Sequence, residues 1–264
     1  MSEQAEVIAE FRDAGVLAGV RWAYESATRR ALESYSEADG HDAAWLGHTR
    51  FTLFRDRLDR VFSCMRYAVS ADEELDLDVR YAELSDADRV TMPRLAPGLV
   101  RRSDLFGSAG WAYRRRRFLL AGGDFGRLDT LPWPNKSRTK QIVALQRNPD
   151  VRQPSLFESL LPADGGPGES GGPAESGVID PALLTADREL DLLTYVIAHS
   201  LDPFSGEAEL VFGRPRLNLG GGPAWYWRED LLAPPLARPV DPGQVPDAPV
   251  RLRRPEGGVS DVAG

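Results

Sequence analysis

Trp111-Ala112-Tyr113-Arg114-Arg115-Arg116-Arg117-Phe118-Leu119-Leu120-Ala121-Gly122-Gly123 decides how the chain is read. Aromatic and aliphatic residues flank the basic run, so residues 111 to 120 read as a strand. Gly107-Ser108-Ala109-Gly110 supplies a turn before it, and Ala121-Gly122-Gly123 ends it. On a strand, alternate arginines point to opposite faces. Two would then meet solvent and two would meet acidic partners, such as Asp72, Glu73, Glu74, Asp76 and Asp78.

Upstream of about Tyr67 the period is helical. Val7, Ile8 and Phe11 share one face of a first helix that Gly15 ends or kinks, and Val20, Tyr24, Ala27, Ala31 and Tyr35 mark a second. After a turn at Asp39-Gly40, residues 42 to 65 read as a third helix, with Phe54, Leu58, Val61, Phe62 and Met65 inward. Its outward face carries Arg55, Asp56, Arg57, Asp59 and Arg60, with Arg55–Asp59 and Asp56–Arg60 at helical pairing distance. Residues 79 to 84 and 99 to 106 read as extended.

Downstream, Leu131-Pro132-Trp133-Pro134 is a stiff lead into a short helix over residues 137 to 147, with Ile142, Val143 and Leu145 apolar. Residues 162 to 177 have the composition of a flexible Gly/Pro linker. Residues 192 to 199 and 207 to 212 read as two strands around a turn, and Trp225, Tyr226 and Trp227 add apolar area. The expected organisation is a helical region (1–66), a basic α+β region (67–161), the linker (162–177), a small β segment (178–232) and a proline-rich tail (233–264). The fold class expected is α+β: an N-terminal helical region with a mainly antiparallel β region, plus a disordered linker and tail.

Charge is unevenly placed. Residues 101 to 147 hold eleven bases against three acids, a surplus of +8 in a chain of net −8, so the rest carries −16. A concentrated positive field attracts phosphates. Of 32 basic residues only Lys136 and Lys140 are lysine, and they lie within five residues of each other. If a helix starts near Ser137, Lys136, Arg138 and Lys140 crowd an end whose dipole already disfavours cations. An anion docked there reverses that sign, with Ser137 and Thr139 as further donors. Asn135 and Pro134 stand where a nucleotide-binding P-loop needs glycine.

Gln153-Pro154-Ser155-Leu156-Phe157 resembles the bacterial sliding-clamp-binding pentapeptide. The resemblance implies that Gln153 makes polar contacts and that Leu156 and Phe157 fill an apolar pocket on a clamp-like partner. Pro154 departs from the leucine most common there. The alternative is that Leu156, Phe157, Leu160 and Leu161 pack back as an amphipathic turn.

Catalytic patterns are thin. His41 and His48 match no zinc spacing, His199 follows the apolar run Tyr195-Val196-Ile197-Ala198 as a strand-end residue, and Cys64 sits among apolar neighbours as a small hydrophobe. No disulfide is possible with one cysteine, and Met1-Ser2-Glu3-Gln4-Ala5-Glu6 does not read as a secretory signal. The expectation is a cytoplasmic, non-enzymatic, nucleic-acid-associated accessory protein without cofactor or metal, with DNA ahead of RNA as partner. Arg114, Arg115, Arg116, Arg117, Lys136, Ser137, Arg138 and Lys140 would contact phosphates, and Gln153, Leu156 and Phe157 would dock a replication or repair partner. The alternatives are a protein-interaction module meeting an acidic surface, and a metal-dependent phosphodiesterase using the acids of residues 72 to 78.

Overall fold

The computed structural model describes residues 2–68, 83–146 and 190–232. The acidic run 72–78, the clamp-like peptide 153–157, the linker 162–177 and the tail 233–264 lie outside the described residues.

Helix α1 (Glu3–Asp13) begins at Ser2, whose hydroxyl accepts from the Ala5 amide. Glu3 and Glu6 fall in its first turn and Arg12 in its last, the order the helix dipole favours. Gly15, at φ 75°, makes the left-handed step into α2 (Val16–Glu33). Helix α3 (Ala43–Val61) starts at Asp42, which accepts from the Trp45 amide at 2.7 Å.

Helix α3 corrects two expectations. Arg57 and Arg60, read as outward, are buried. Asp56 accepts from both at 2.7 Å, and Arg57 Nε donates to Ser26 on α2 at 2.9 Å, so the charges enter the α2–α3 interface already paired. Met65, read as inward, is 58% exposed. The helix stops at Val61, and a tight turn with Met65 at φ 51° swings that side chain out.

A short helix α4 (Asp86–Thr91) precedes the sheet. Strands β1 (Arg101–Arg102), β2 (Gly110–Tyr113), β3 (Arg116–Gly122), β4 (Leu193–Leu201), β5 (Ala208–Pro215) and β6 (Trp225–Asp230) form one six-stranded sheet in chain order. Every pairing is antiparallel except β3 with β4. A parallel pair needs a long crossover, and helix α5 (Arg138–Leu145) lies in that connection. Residues 190–232 thus continue the same sheet as β1–β3.

The single strand expected over residues 111 to 120 is a hairpin. Tyr113 pairs with Arg116, so Arg114 and Arg115 are the two-residue turn, with Arg114 at φ 53°. Gly110 is needed where β2 meets the preceding loop: a Cβ there would stand 2.4 Å from the Ser103 carbonyl oxygen.

Alternate strand residues face two cores. Phe118, Leu120, Tyr195, Ile197, Leu210 and Phe212 pack with Phe11, Val20, Phe54 and Leu58 of the three long helices. Leu119, Ala121, Val196, Ala198 and Val211 pack on the opposite face with Leu128, Trp133 and Val143. Burial on both faces explains why these strands are continuous apolar runs. No helix among the described residues is long and apolar enough to cross a membrane.

Candidate phosphate-binding site

The arginine run is largely engaged within the protein. Arg114 and Arg116 reach Glu10 on α1, and Arg116 also pairs with Glu6 at 2.7 Å. Arg117 is 3% exposed and donates to Asp191 at 2.9 Å and to Ser103 at 3.0 Å. The acidic partners therefore come from α1 and from the approach to β4. Arg115 is exposed at the turn, with no ion pair among the described residues. Arg102 of the same basic segment is held by Asp59 and Asp104.

The lysines are placed differently. Trp133 is fully buried and its indole N–H donates to the Ala224 carbonyl at 2.6 Å, which fixes the lead into α5. Gln141 turns back and donates to the carbonyls of Pro134 and Lys136, both at 2.9 Å. Those bonds hold Lys136 against the end of β3, where its ammonium donates to the Gly122 carbonyl at 2.8 Å. Ser137 is the residue preceding α5, and its hydroxyl caps nothing within the helix. Ser137 and Arg138 are exposed, while Thr139 is buried. Lys140 is partly buried, and its ammonium makes no hydrogen bond or ion pair to a described residue. Burial, and then the neighbouring charge of Lys136, push its pKa below the usual lysine value.

Gly122 connects this corner to a second group. It pairs in register with His199 of β4, and a Cβ on Gly122 would stand 3.9 Å from His199 Cε1. His199 is 2% exposed, among the rings of Tyr24, Phe51 and Phe54. Arg50 of α3, 6% exposed, lies with Nη2 3.2 Å from His199 Nδ1, and its Nη1 donates to the Tyr24 hydroxyl at 3.3 Å. Tyr24 in turn donates to the Ser200 carbonyl at 2.6 Å. Arg50 has no carboxylate partner among the described residues, and burial lowers its pKa. Burial first, then the charges of Arg50, Lys140 and Lys136, hold the His199 pKa down at about 3. The imidazole is neutral at pH 7.

Sequence reasoning singled out Lys136, Ser137, Arg138 and Lys140 but missed Arg50 and Tyr24, and took His199 as a strand-end residue. Arg50 carries no signal of its own, because α3 is rich in arginines that read as a polar face. Gln153, Leu156 and Phe157 lie outside the described residues. Among the described residues no group of three metal-ligating side chains occurs. His48 is exposed, and His41 stacks on Trp45 at 3.7 Å with its Nδ1 accepting from the Ser36 amide.

Donors and cations dominate this end of the sheet. Such a set suits an oxyanion, which accepts hydrogen bonds and supplies the missing negative charge. No protein-family model matches the chain, and no curated protein or solved structure matches it significantly, so its own residues carry the functional reading.

Proposed function

We propose that the chain is a non-enzymatic, nucleic-acid-associated protein that grips phosphates through Lys136, Ser137, Arg138 and Lys140. One observation carries this reading. The chain's only two lysines sit four residues apart, on either side of the start of α5, with no carboxylate partner among the described residues. Arg115 is the member of the arginine run without an ion pair among the described residues, but it lies at the opposite end of β3 from Lys136, about 20 Å along the strand, while Arg114, Arg116 and Arg117 serve the fold. DNA is the preferred partner and the cytoplasm the working compartment. The peptide Gln153-Pro154-Ser155-Leu156-Phe157 would recruit a clamp-like protein.

Fluorescence anisotropy of a labelled oligonucleotide over a salt series tests the reading. Binding should weaken steeply with salt. The double substitution Lys136→Ala with Lys140→Ala should cost about tenfold in affinity on every sequence and lower the salt slope by about two. An absence of binding at low salt ends this reading. Co-purification of a protein partner that survives nuclease treatment would favour an interaction module instead.

A further inference from the structure

Beneath the two lysines lies a set of donors that the grip on a nucleic-acid backbone does not use. We propose that the carboxyl end of β3 and β4 forms a discrete pocket for one phosphomonoester group, lined by Lys136, Lys140, His199 and Arg50. The proposal deepens the reading above and rests on the same lysines, but it requires no nucleic acid.

The His199 tautomer is the first step. A guanidinium has only donors, so Arg50 Nη2 at 3.2 Å makes Nδ1 the acceptor and leaves the ring proton on Nε2. That Nε2–H is buried and has no acceptor among the described residues, and neither has the buried Arg50 Nε–H. Buried donors without acceptors are rare in native proteins and mark the place of a water or ion. The Cε1 edge of the ring faces Gly122, on whose carbonyl the Lys136 ammonium rests. The ring and the Lys136 ammonium therefore approach the end of β3 together, and the charge of Lys140 is felt at His199.

Charge selects the occupant. A water would satisfy a donor but leave Arg50 and Lys140 uncompensated. Glu209, on the strand paired with this end of β4, accepts through one oxygen from the Ser200 hydroxyl at 2.5 Å and the Gly126 amide at 2.9 Å, and forms no ion pair with Arg50 or Lys140 among the described residues. A phosphodiester brings a single charge on two unbridged oxygens. A monoester brings roughly −2 and three acceptor oxygens, which matches cations and donors arriving from several sides. The topology agrees. Beyond Leu119, β3 is paired only with β4 among the described residues, so no other described strand covers the end of this parallel pair on that side, and the helix of their crossover begins there. Phosphates bind at such strand ends and helix starts in other parallel sheets.

The test is calorimetric titration of the full chain with inorganic phosphate, and with one single-stranded oligonucleotide carrying either a 5′-phosphate or a 5′-hydroxyl. The phosphorylated form should bind at least about tenfold more tightly, the equivalent of one or two charge-assisted hydrogen bonds. Inorganic phosphate should bind and should shift the His199 Nε2–H resonance. Lys140→Gln, at a partly exposed position, should abolish the preference while the circular dichroism spectrum is unchanged. Equal affinity for the two oligonucleotides overturns the pocket and leaves the backbone grip standing. Phosphate binding without oligonucleotide binding upholds the pocket and removes nucleic acid. A Nε2–H signal unmoved by saturating phosphate means that water fills the site, and overturns the proposal.

Discussion

At residue scale, His199 shows how environment sets chemistry. Its ordinary pKa of 6.5 falls to about 3 in the fold, through burial and three nearby cations. Between those values the unfolded chain binds a proton that the folded chain refuses. Stability from this residue is therefore complete above pH 6.5 and is lost as the pH falls towards 3. The loss is at most ~1.4 kcal/mol per pH unit. Urea unfolding in phosphate-free buffer should show His199→Gln with a flatter dependence than the wild type between about pH 6 and pH 4. Identical slopes would mean that His199 titrates normally.

At the scale of elements, Glu3 is the carboxylate that ties α1 to three strands at once, beside the pairs that Glu6 and Glu10 make with the β2–β3 hairpin and Arg12 makes with Glu229. Glu3 accepts from Tyr195 at 3.0 Å and from Trp227 Nε1 at 2.9 Å, and it pairs with Arg214, which is almost wholly buried. Removing one partner of a buried ion pair strands the other. Glu3→Gln should cost about 3 kcal/mol in urea unfolding, because the almost wholly buried Arg214 guanidinium loses its charge pair with Glu3. Glu6→Gln, whose carboxylate is 63% exposed beside Arg116, should cost less than about 1 kcal/mol. Equal costs would deny the anchor. The acidic start of α1 was legible as polar helix, but its use as a clamp on β4, β5 and β6 was not. That use depends on contacts more than 190 residues away along the chain.

For the whole molecule, legibility follows the covering of the sheet. The runs around Tyr195–Ala198 and Leu210–Phe212 read as strands because both faces are covered. The helices of the first 65 residues followed from apolar spacing. The hairpin over 110–122 was hidden, since nothing in four consecutive arginines marks the middle two positions of a turn. The charge surplus of the basic segment also changed meaning. Much of it meets Glu6, Glu10, Asp59 and Asp191 in the folded chain, so charge counted along the sequence overstated the surface field. What survives is the lysine corner, where sequence reasoning had found two lysines and a helix start. The pocket behind it was illegible, because Arg50 and His199 are 149 residues apart and meet only when α3 packs on β4.

Amide chemical-shift mapping during titration with a short oligonucleotide tests the phosphate-binding claim most directly. The account predicts shifts concentrated at Lys136, Ser137, Arg138, Thr139 and Lys140, extending to Gly122 at the end of β3. Shifts that leave residues 136 to 140 unmoved, while the oligonucleotide binds elsewhere, would contradict it.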